Sequence, residues 1–279
     1  MEDTLKYCVP ILCGAYKAPG IALILITLGS QSLQAQVLGS ASNFGVLGGS
    51  TVTNTGSTVV TGDVGVSPGS AVTGFPPGSI IGGGSLQLTT ALANTAQTDV
   101  GAAITALNGE TPTMNLTGDD LGGRVLTPGV YVFDSSAQLT GTLTLNAQND
   151  PNARFDFIIG STLTTASASS VVLENEAEGG NVYWDVGSSA TLGTTTSFEG
   201  NVLATASITA TTGATDGCGS LLAHTGAVTL DDNTIGGGCV SYSNPDSNVP
   251  EPSSALLLAG LAGAGLLGRR QLRNRRNRV

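Results

Sequence analysis

Five short segments decide the fold: LTGTLTL (139–145), GSTLTTA (160–166), SSATLGT (188–194), ASITATT (206–212) and GAVTLDD (226–232). In each segment an apolar or small residue alternates with a hydroxyl residue, which is the period of a strand that buries one face. When the segments are aligned, Thr164, Thr191, Thr209 and Thr229 fall at intervals of 27, 18 and 20 residues. Repeats of about 20 residues with several short strands each are typical of a β-solenoid. A threonine-rich β-sandwich also has many short strands, but the match in register between the segments favours the solenoid.

Residues 86–108 interrupt this pattern. Their apolar side chains recur at helical spacing, and Gly109 follows the run; the apolar positions are Leu88, Leu92, Ala96, Val100, Ala103, Ile104 and Leu107. The spacing predicts a single amphipathic helix. Because the segment has no Lys or Arg, we expect its apolar stripe to pack along the solenoid rather than on a membrane surface.

Residues 1–35 have the features of a secretory signal peptide. Lys17 precedes an apolar run at 21–28, and small and polar residues follow as far as Ala35. The run is much shorter than the roughly 20 residues of a membrane span, so we expect signal peptidase to cleave after Ala35. An N-terminal anchor that is never cleaved is the alternative.

Residues 249–279 combine three features in a fixed order. A Pro-Glu-Pro triplet at 250–252 precedes a short apolar stretch at 255–268, predicted to be helical, and the tail contains six arginines. This arrangement closely resembles the PEP-CTERM sorting signal of Gram-negative bacteria. The resemblance implies that an exosortase cleaves near the triplet and that the protein is secreted or held at the cell surface. An ordinary membrane anchor is the alternative, although the stretch is short for a span.

The chain between residues 36 and 248 is strongly acidic. Arg124 and Arg154 face 17 Asp and Glu residues there, which gives a net charge of −15. Such a surface repels phosphate backbones and excludes nucleic acid as a partner. We also expect no enzymatic activity, because the acidic doublets at 119–120 and 231–232 would point to opposite faces of a strand and cannot act as a carboxylate pair.

Cys218 and Cys239 are the two cysteines that follow residue 35. In an exported chain they most simply form one disulfide. Two cysteines and one histidine are too few for a zinc site, and the acidic loop at 174–178 lacks the spacing of a calcium loop. We therefore expect no metal and no cofactor.

Four longer stretches closely resemble ice-binding proteins of the DUF3494 type: LGSASNFGVLGGSTVTNTGSTVVTGDVGVSPGSAVTGFPPG (38–78), LTPGVYVFDSSAQLTGTLTLNAQNDPNARFDFIIGSTLTTASASSVVL (126–173), VYWDVGSSATLGTTTSFEGNVLA (182–204) and LLAHTGAVTLDDNTI (221–235). The resemblance implies an irregular right-handed β-helix of triangular section with one long α-helix packed alongside. It places a single ice-binding domain at 36–248. It further implies adsorption to ice crystals and inhibition of ice growth or recrystallisation. We expect the domain to be a monomer.

The aligned segments also predict an ice-binding face. One outward column would contain Thr144, Thr164, Thr191, Thr209 and Thr229, and the next hydroxyls would be Thr142, Thr162, Ser189 and Ser207. Neighbouring strands stack about 4.8 Å apart, and alternate residues along a strand lie about 6.7 Å apart, so such columns form a regular grid. A grid of threonines offers one methyl group and one hydroxyl group at each node, which can hold water in an ice-like arrangement. Exposed threonine also simply suits strands, so the column has a purely structural explanation as well.

A structural or adhesive role in the extracellular polysaccharide matrix is the rival function. It rests on the sorting signal, because proteins with such signals are often associated with exopolysaccharide. The two roles are compatible, but only ice binding gives a physical explanation for the regular pattern of threonines.

Overall fold

The computed structural model describes residues 37–236, which form one long helix, two short 3-10 helices and a series of short strands. The α-helix is α1 (Ala91–Leu107), and the 3-10 helices are Gly39–Asn43 and Gly179–Asn181. The strands are β1 (Phe44–Gly48), β2 (Thr51–Thr55), β3 (Val59–Thr61), β4 (Asp63–Val66), β5 (Ala71–Thr73), β6 (Ser79–Ile81), β7 (Leu86–Leu88), β8 (Met114–Asn115), β9 (Val125–Leu126), β10 (Gly129–Phe133), β11 (Ala137–Leu139), β12 (Thr142–Asn146), β13 (Phe155–Ile159), β14 (Leu163–Thr165), β15 (Ser170–Glu174), β16 (Val182–Val186), β17 (Ala190–Leu192), β18 (Ser197–Phe198), β19 (Asn201–Ala204), β20 (Ile208–Ala210), β21 (Thr215–Asp216), β22 (Leu221–Ala223), β23 (Val228–Asp231) and β24 (Thr234–Ile235).

The strands form three sheets, and successive strands of the chain pass from one sheet to the next. Sheet A has the order β7-β4-β1-β22-β19-β16-β13-β10-β8, sheet B has β11-β14-β17-β20-β23-β2-β5, and sheet C has β6-β3-β24-β21-β18-β15-β12-β9. Neighbouring strands are parallel, for example β13 with β16 and β17 with β20. A coil with one strand in each of three parallel sheets is the geometry of a three-sided β-solenoid. The mainly β solenoid with one helix that the sequence predicts is thus confirmed.

The order of the coils along the solenoid differs from their order in the chain. The first two coils and β7 lead to one end of the molecule, and α1 then runs back along sheet A before β8 starts at the opposite end. Later coils return until β22, β23 and β24 pair with β1, β2 and β3. The first and last coils of the domain are therefore neighbours, and pairing between residues far apart in the chain closes the fold.

The interior of the solenoid is a continuous apolar core. It contains an aromatic stack in which Phe157 lies 5.4 Å from Tyr131 and 3.9 Å from Trp184, measured between ring centroids. Register produces this stack, because these three residues are direct partners on β10, β13 and β16. The indole Nε1 of Trp184 donates a hydrogen bond to the carbonyl oxygen of Glu199 at 3.1 Å, so the buried ring leaves its polar group satisfied.

The helix is shorter than the predicted span of 86–108. It begins at Ala91, and the Thr90 hydroxyl accepts a hydrogen bond from the backbone N–H of Ala93 as its N-terminal cap. Leu86 and Leu88 belong instead to a strand of sheet A. Leu86 and Leu88 alternate with Gln87, which is the period of a strand. The prediction of a helix over 86–108 did not take this alternation into account.

The packed face of α1 consists mainly of small residues, which let the helix approach sheet A closely. Its buried side chains are Ala93, Ala96, Gln97, Val100, Ala103 and Leu107. Gln97 donates from Nε2 to the carbonyl oxygen of Ala223 at 3.1 Å, and Asn108 donates to the carboxylate of Asp185. Of the residues that the structure describes, no helix is long and apolar enough to cross a bilayer.

Candidate functional site

The three sides of the solenoid are used differently. On sheet A, α1 covers the outer face, and Leu47, Leu203 and Leu222 pack with the helix in a second apolar cluster outside the solenoid core. On sheet B the outward positions are exposed or half-buried and are mostly hydroxyl residues. Sheet B is therefore the candidate functional face.

Sheet B carries six threonines in direct register. In spatial order the outward partners are Gln138, Thr164, Thr191, Thr209, Thr229, Thr53 and Thr73. We call the six consecutive threonines the threonine column. The residue before each outward threonine points into the core, and Leu163, Ala190, Ile208, Val228 and Val52 are at most 1% exposed. A packed core under five of the six threonines fixes their height, and Val72 beneath Thr73 is partly buried. The strand spacing of about 4.8 Å sets the interval between neighbouring threonines.

Two of the predicted face residues lie on a different sheet. Thr144 and Thr142 belong to β12 of sheet C, where Thr144 pairs with Val125 and Val172 and Thr142 pairs with Ser170. The segment LTGTLTL crosses a corner, because Gly141 takes a φ of +93° between β11 and β12. The position that this coil contributes to sheet B is Gln138, and the predicted register of Thr144 with Thr164 is wrong.

Two residues of the threonine column, Thr53 and Thr73, do not belong to the five segments whose alignment predicted the ice-binding face. They lie in the first two coils, on the segments TVT (51–53) and AVT (71–73). The second of these repeats the AVT of residues 227–229, which was the available signal. Their place beside Thr229 follows from the pairing of β2 with β23, which joins residues about 175 positions apart.

The hydroxyls that precede the strands of sheet B are engaged with neighbouring coils. The Thr162 hydroxyl donates to the hydroxyl of Ser136 at 2.8 Å, and the Ser189 Oγ accepts from the backbone N–H of Ser207 at 3.3 Å. Ser207 Oγ in turn accepts from the N–H of Ala227 at 3.1 Å. Thr162, Ser189 and Ser207 therefore line one border of the face and hold its corner in register.

One carboxylate, that of Asp231, lies on the opposite border of sheet B. It accepts hydrogen bonds from the hydroxyl of Thr55, at 2.8 Å, and from the hydroxyl of Thr212. These two hydrogen bonds lower the pKa of Asp231, so the group stays ionised in mildly acidic water. Apart from Asp231, the seven strands of sheet B contain no charged residue.

Sheet C also has a row of hydroxyls, but the row is less uniform. Its register partners are Thr142, Ser170, Ser197, Thr215, Thr234, Val59 and Ser79. Half of these hydroxyl residues are serines, which lack the methyl group, and Val59 interrupts the row. The hydroxyls of Thr142 and Ser170 lie 2.9 Å apart and hydrogen-bond to each other, which leaves them less free for water.

Buried carboxyl groups lie away from sheet B. Burial raises the pKa of Asp185 to about 7 and that of Asp156 to about 6, although the Arg154 guanidinium beside Asp156 opposes the second shift. Burial also raises the pKa of Asp216, and the neighbouring Glu199 carboxylate adds to that effect. Asp185 and Asp156 are at most 4% exposed, so they serve the packing of sheet A rather than a substrate. No group of three or more His, Cys, Asp or Glu within residues 37–236 is placed to hold a metal ion.

Cys218 lies between β21 and β22 and is half of a disulfide. Cys239 lies outside the described residues, so the pairing of Cys218 with Cys239 stays a prediction. The leader at 1–35 and the helix at 255–268 also fall outside residues 37–236.

The fold and the threonine column together define a β-solenoid of the ice-binding type. A family model described as Ice-binding-like matches residues 46–236, and a second model, the PEP-CTERM protein-sorting motif, matches residues 248–273. The chain therefore belongs to the Ice-binding-like family. Its sorting motif directs export to the surface of a bacterial cell or beyond, as the tail sequence predicts.

Individual relatives agree with this assignment. An ice-binding protein of Nostoc sp. (strain HG1) is 51% identical over 253 residues, which are 88% of this chain and 93% of the relative. A crystal structure of an ice-binding protein from an Antarctic biological consortium has a TM-score of 0.68 at 47% identity, covering 71% of this chain and 89% of that one. A structure from the ascomycete Antarctomyces psychrotrophicus has a TM-score of 0.68 at 44% identity, with coverages of 71% and 96%.

Proposed function

We propose that this protein adsorbs to ice through the outer face of sheet B and thereby inhibits ice growth or recrystallisation. The observation that carries the proposal is the threonine column, six threonines in consecutive register on a face that has one charged residue at its border. Each position offers a hydroxyl group that holds a water molecule and a methyl group that orders the water around it. Since a packed core supports five of the six positions, most of the array does not need to be ordered when it meets the crystal.

The low charge of sheet B supports the same function. A carboxylate or ammonium group binds water strongly and in a geometry of its own, which would compete with an ice-like arrangement. Of the 16 acidic residues within 37–236, all but Asp231 lie off the strands of this sheet, where they favour solubility. Gln138 ends the column at one side with a longer side chain, so we place the ice contact on Thr164, Thr191, Thr209, Thr229, Thr53 and Thr73.

The same proposal includes the processing and location of the protein. Signal peptidase removes residues 1–35, an exosortase cleaves near Pro250, and the domain at 36–248 acts outside a Gram-negative cell. No catalytic activity is part of the proposal, because the face that is open to solvent carries neither a carboxylate pair nor a base beside a nucleophile. A role in the polysaccharide matrix is the second candidate, and the sorting motif is the observation in its favour.

The test compares two threonines of one coil that differ in the sheet they occupy. Thr229 on sheet B and Thr234 on sheet C are both exposed and lie five residues apart. Thr229→Tyr places a ring above the flat column and holds its neighbours away from the crystal, so ice shaping and freezing-point depression should be lost. Thr234→Tyr makes the same change on sheet C and should leave both intact. Circular dichroism of the two variants checks that the fold is unchanged.

Two results would contradict the proposal. If Thr234→Tyr abolishes ice shaping while Thr229→Tyr does not, the contact surface is sheet C. If the unmodified protein never shapes a growing ice crystal under the microscope, the matrix role replaces the ice role.

A further inference from the structure

One end of the solenoid is formed by β5, β6 and β7, at residues 71–88, and we call it the open end. These three strands are the last of sheets B, C and A on this side, and each pairs with one neighbour, β2, β3 and β4 respectively. Their outer edges therefore present unpaired backbone N–H and C=O groups, which are a template for another strand.

The core of the solenoid reaches the surface at the open end. Leu86 and Leu88 pair with Val64 and Val66, which are fully buried, yet Leu86 and Leu88 are each 41% exposed. They occupy core positions of a coil on which no further coil stacks in the described chain. Solenoids usually cover such an end with a polar capping unit, because an uncovered apolar core promotes association.

The strands of the open end carry no charged residue, and one carboxylate, that of Asp63 at the start of β4, borders them and accepts hydrogen bonds from the backbone N–H and the hydroxyl of Ser85. Residues 64–98 contain no Asp, Glu, Lys, Arg or His, whereas the stretch 36–248 as a whole has a net charge of −15. Two copies of so acidic a protein repel each other across most approaches. At the open end each copy brings one bordering carboxylate, that of Asp63, and no charge on the strands themselves, and this points to a second copy as the occupant.

The opposite end of the solenoid is built differently. Leu116, Leu121 and Leu126 of its terminal coil are at most 6% exposed, so this coil closes the core. Val125 is 64% exposed there, but the same coil carries Asp119, Asp120 and Arg124. A charged, closed end is a poor match for the neutral open end, which argues against head-to-tail chains.

The threonine column runs without interruption to the open end. Its last member, Thr73, lies on the edge strand β5. At the opposite end the column stops at Gln138, which is bridged to Asp120. The candidate ice face is thus limited by a charged residue on one side and by a bare strand edge on the other.

We propose that the open end is a self-association surface through which two copies join end to end about a two-fold axis. An axis normal to sheet B places β5 antiparallel to its counterpart and brings β6 against the partner's β7, so that the unpaired edges and the exposed leucines are covered together. Such a contact is self-complementary and stops at the dimer. The two threonine columns then lie in one plane, which doubles the face available to ice. This last consequence rests on the proposed function, but the dimer itself does not.

The experiment measures the mass of the purified protein by analytical ultracentrifugation over a range of concentrations, without ice. A monomer–dimer equilibrium is expected. Leu88→Asp places a carboxylate of each copy against the partner's β6 in an apolar contact, where the charge loses its water without gaining a partner, and should raise the dimer dissociation constant roughly a hundredfold or more. Ile81→Asp, on the neighbouring edge strand, is a second variant at a 47% exposed position. Val125→Asp adds the same charge at the opposite end and should leave the equilibrium unchanged.

Three results would overturn the proposal. A monomer at every concentration would show that the open end has no second copy on it, as when the chain beyond residue 236 caps its own molecule. Loss of association in Val125→Asp as well would indicate head-to-tail contacts, and so would species that grow beyond the dimer. If the protein is a dimer but does not shape ice, the proposed function fails while the self-association surface stands. The sequence predicts a monomer, and the proposed dimer differs from that prediction because the open end can be recognised only in the fold.

Discussion

The buried carboxyl group of Asp185 should make the protein more stable in mild acid than in mild base. Asp185 is 2% exposed, lies between Ile158 and Leu203 in register on sheet A, and accepts a hydrogen bond from Asn108 just after α1 ends. Burial raises its pKa from 3.8 to about 7, so the folded protein holds a proton that the unfolded chain releases. Stability from this group is complete below the unfolded pKa and is lost as the pH rises through the folded one.

The size of the effect follows from the pKa. Between pH 5 and the folded pKa of about 7, the unfolded carboxyl is ionised and the folded one is protonated, and each pH unit costs about 1.4 kcal/mol of unfolding free energy. The loss from pH 5 to pH 9 is therefore about 3 kcal/mol from Asp185. Asp185→Asn has nearly the same shape and no titration, so it should remove that part of the pH dependence and make the variant the more stable protein at pH 9.

Urea denaturation followed by circular dichroism, at pH 5, 7 and 9, measures the effect in the unmodified protein and in Asp185→Asn. Asp156 titrates near pH 6 and will remain in both proteins, so the variant keeps a smaller slope rather than none. The informative quantity is the difference between the two curves. If the curves run parallel from pH 5 to 9, Asp185 is already ionised in the folded protein and the argument from burial is wrong.

Four further predictions follow from single residues. Ile208→Ala removes a fully buried side chain beneath the candidate ice face and should lower the unfolding free energy by about 2–5 kcal/mol in urea denaturation, whereas Thr209→Ala should change it by no more than about 0.5 kcal/mol. Ice shaping should be insensitive to added salt, because apart from Asp231 at its border the strands of sheet B are uncharged; a loss of activity on raising salt would point to a charged surface. Asp231→Asn should weaken the alignment of Thr55 and lower freezing-point depression, with no change in the temperature at which the protein unfolds. If the unfolding temperature falls together with the freezing-point depression, Asp231 acts through the stability of the fold. Cys218→Ser should lower the unfolding free energy by about 3 kcal/mol relative to the unmodified protein in non-reducing conditions. When the unmodified protein is reduced, the two proteins should be equally stable.

Period-two alternation was enough to predict the architecture from sequence. Each segment such as ASITATT sets one apolar residue between two polar ones, and in the structure Ile208 is buried while Thr209 lies on the outer face. The register of Thr191, Thr209 and Thr229 could also be predicted, because the coils that hold them are consecutive both in the chain and in space. The helix was placed correctly but its predicted start was too early, because Leu88 continues the helical spacing of Leu92 and Ala96 although its alternation with Leu86 is that of a strand.

Two features of the candidate face could not be derived from alternation. The sequence pattern of a hydroxyl residue alternating with an apolar one is the same for strands of sheet B and of sheet C. The position of the turn between two strands determines which sheet the residue joins. For Thr144 this turn is at Gly141, which places Thr144 on sheet C. Apart from the repeated AVT of residues 71–73 and 227–229, the sequence does not indicate that the last coil stacks on the first, because the pairing of β23 with β2 depends on the return of the chain along α1.

The helix therefore has a part in the candidate function although it lies on the opposite side of the solenoid. By carrying the chain from β7 back to β8, α1 allows two coils made early in the sequence to extend a sheet whose other strands are made late. Without that return, sheet B would end at Thr229, and the threonine column would have four members, Thr164, Thr191, Thr209 and Thr229, in place of six. The added members, Thr53 and Thr73, are the ones that lead to the open end, whose strands carry no charged residue. A longer column and a neutral edge thus arise from one topological feature, and the size of the face is set by the path of the chain as much as by its composition.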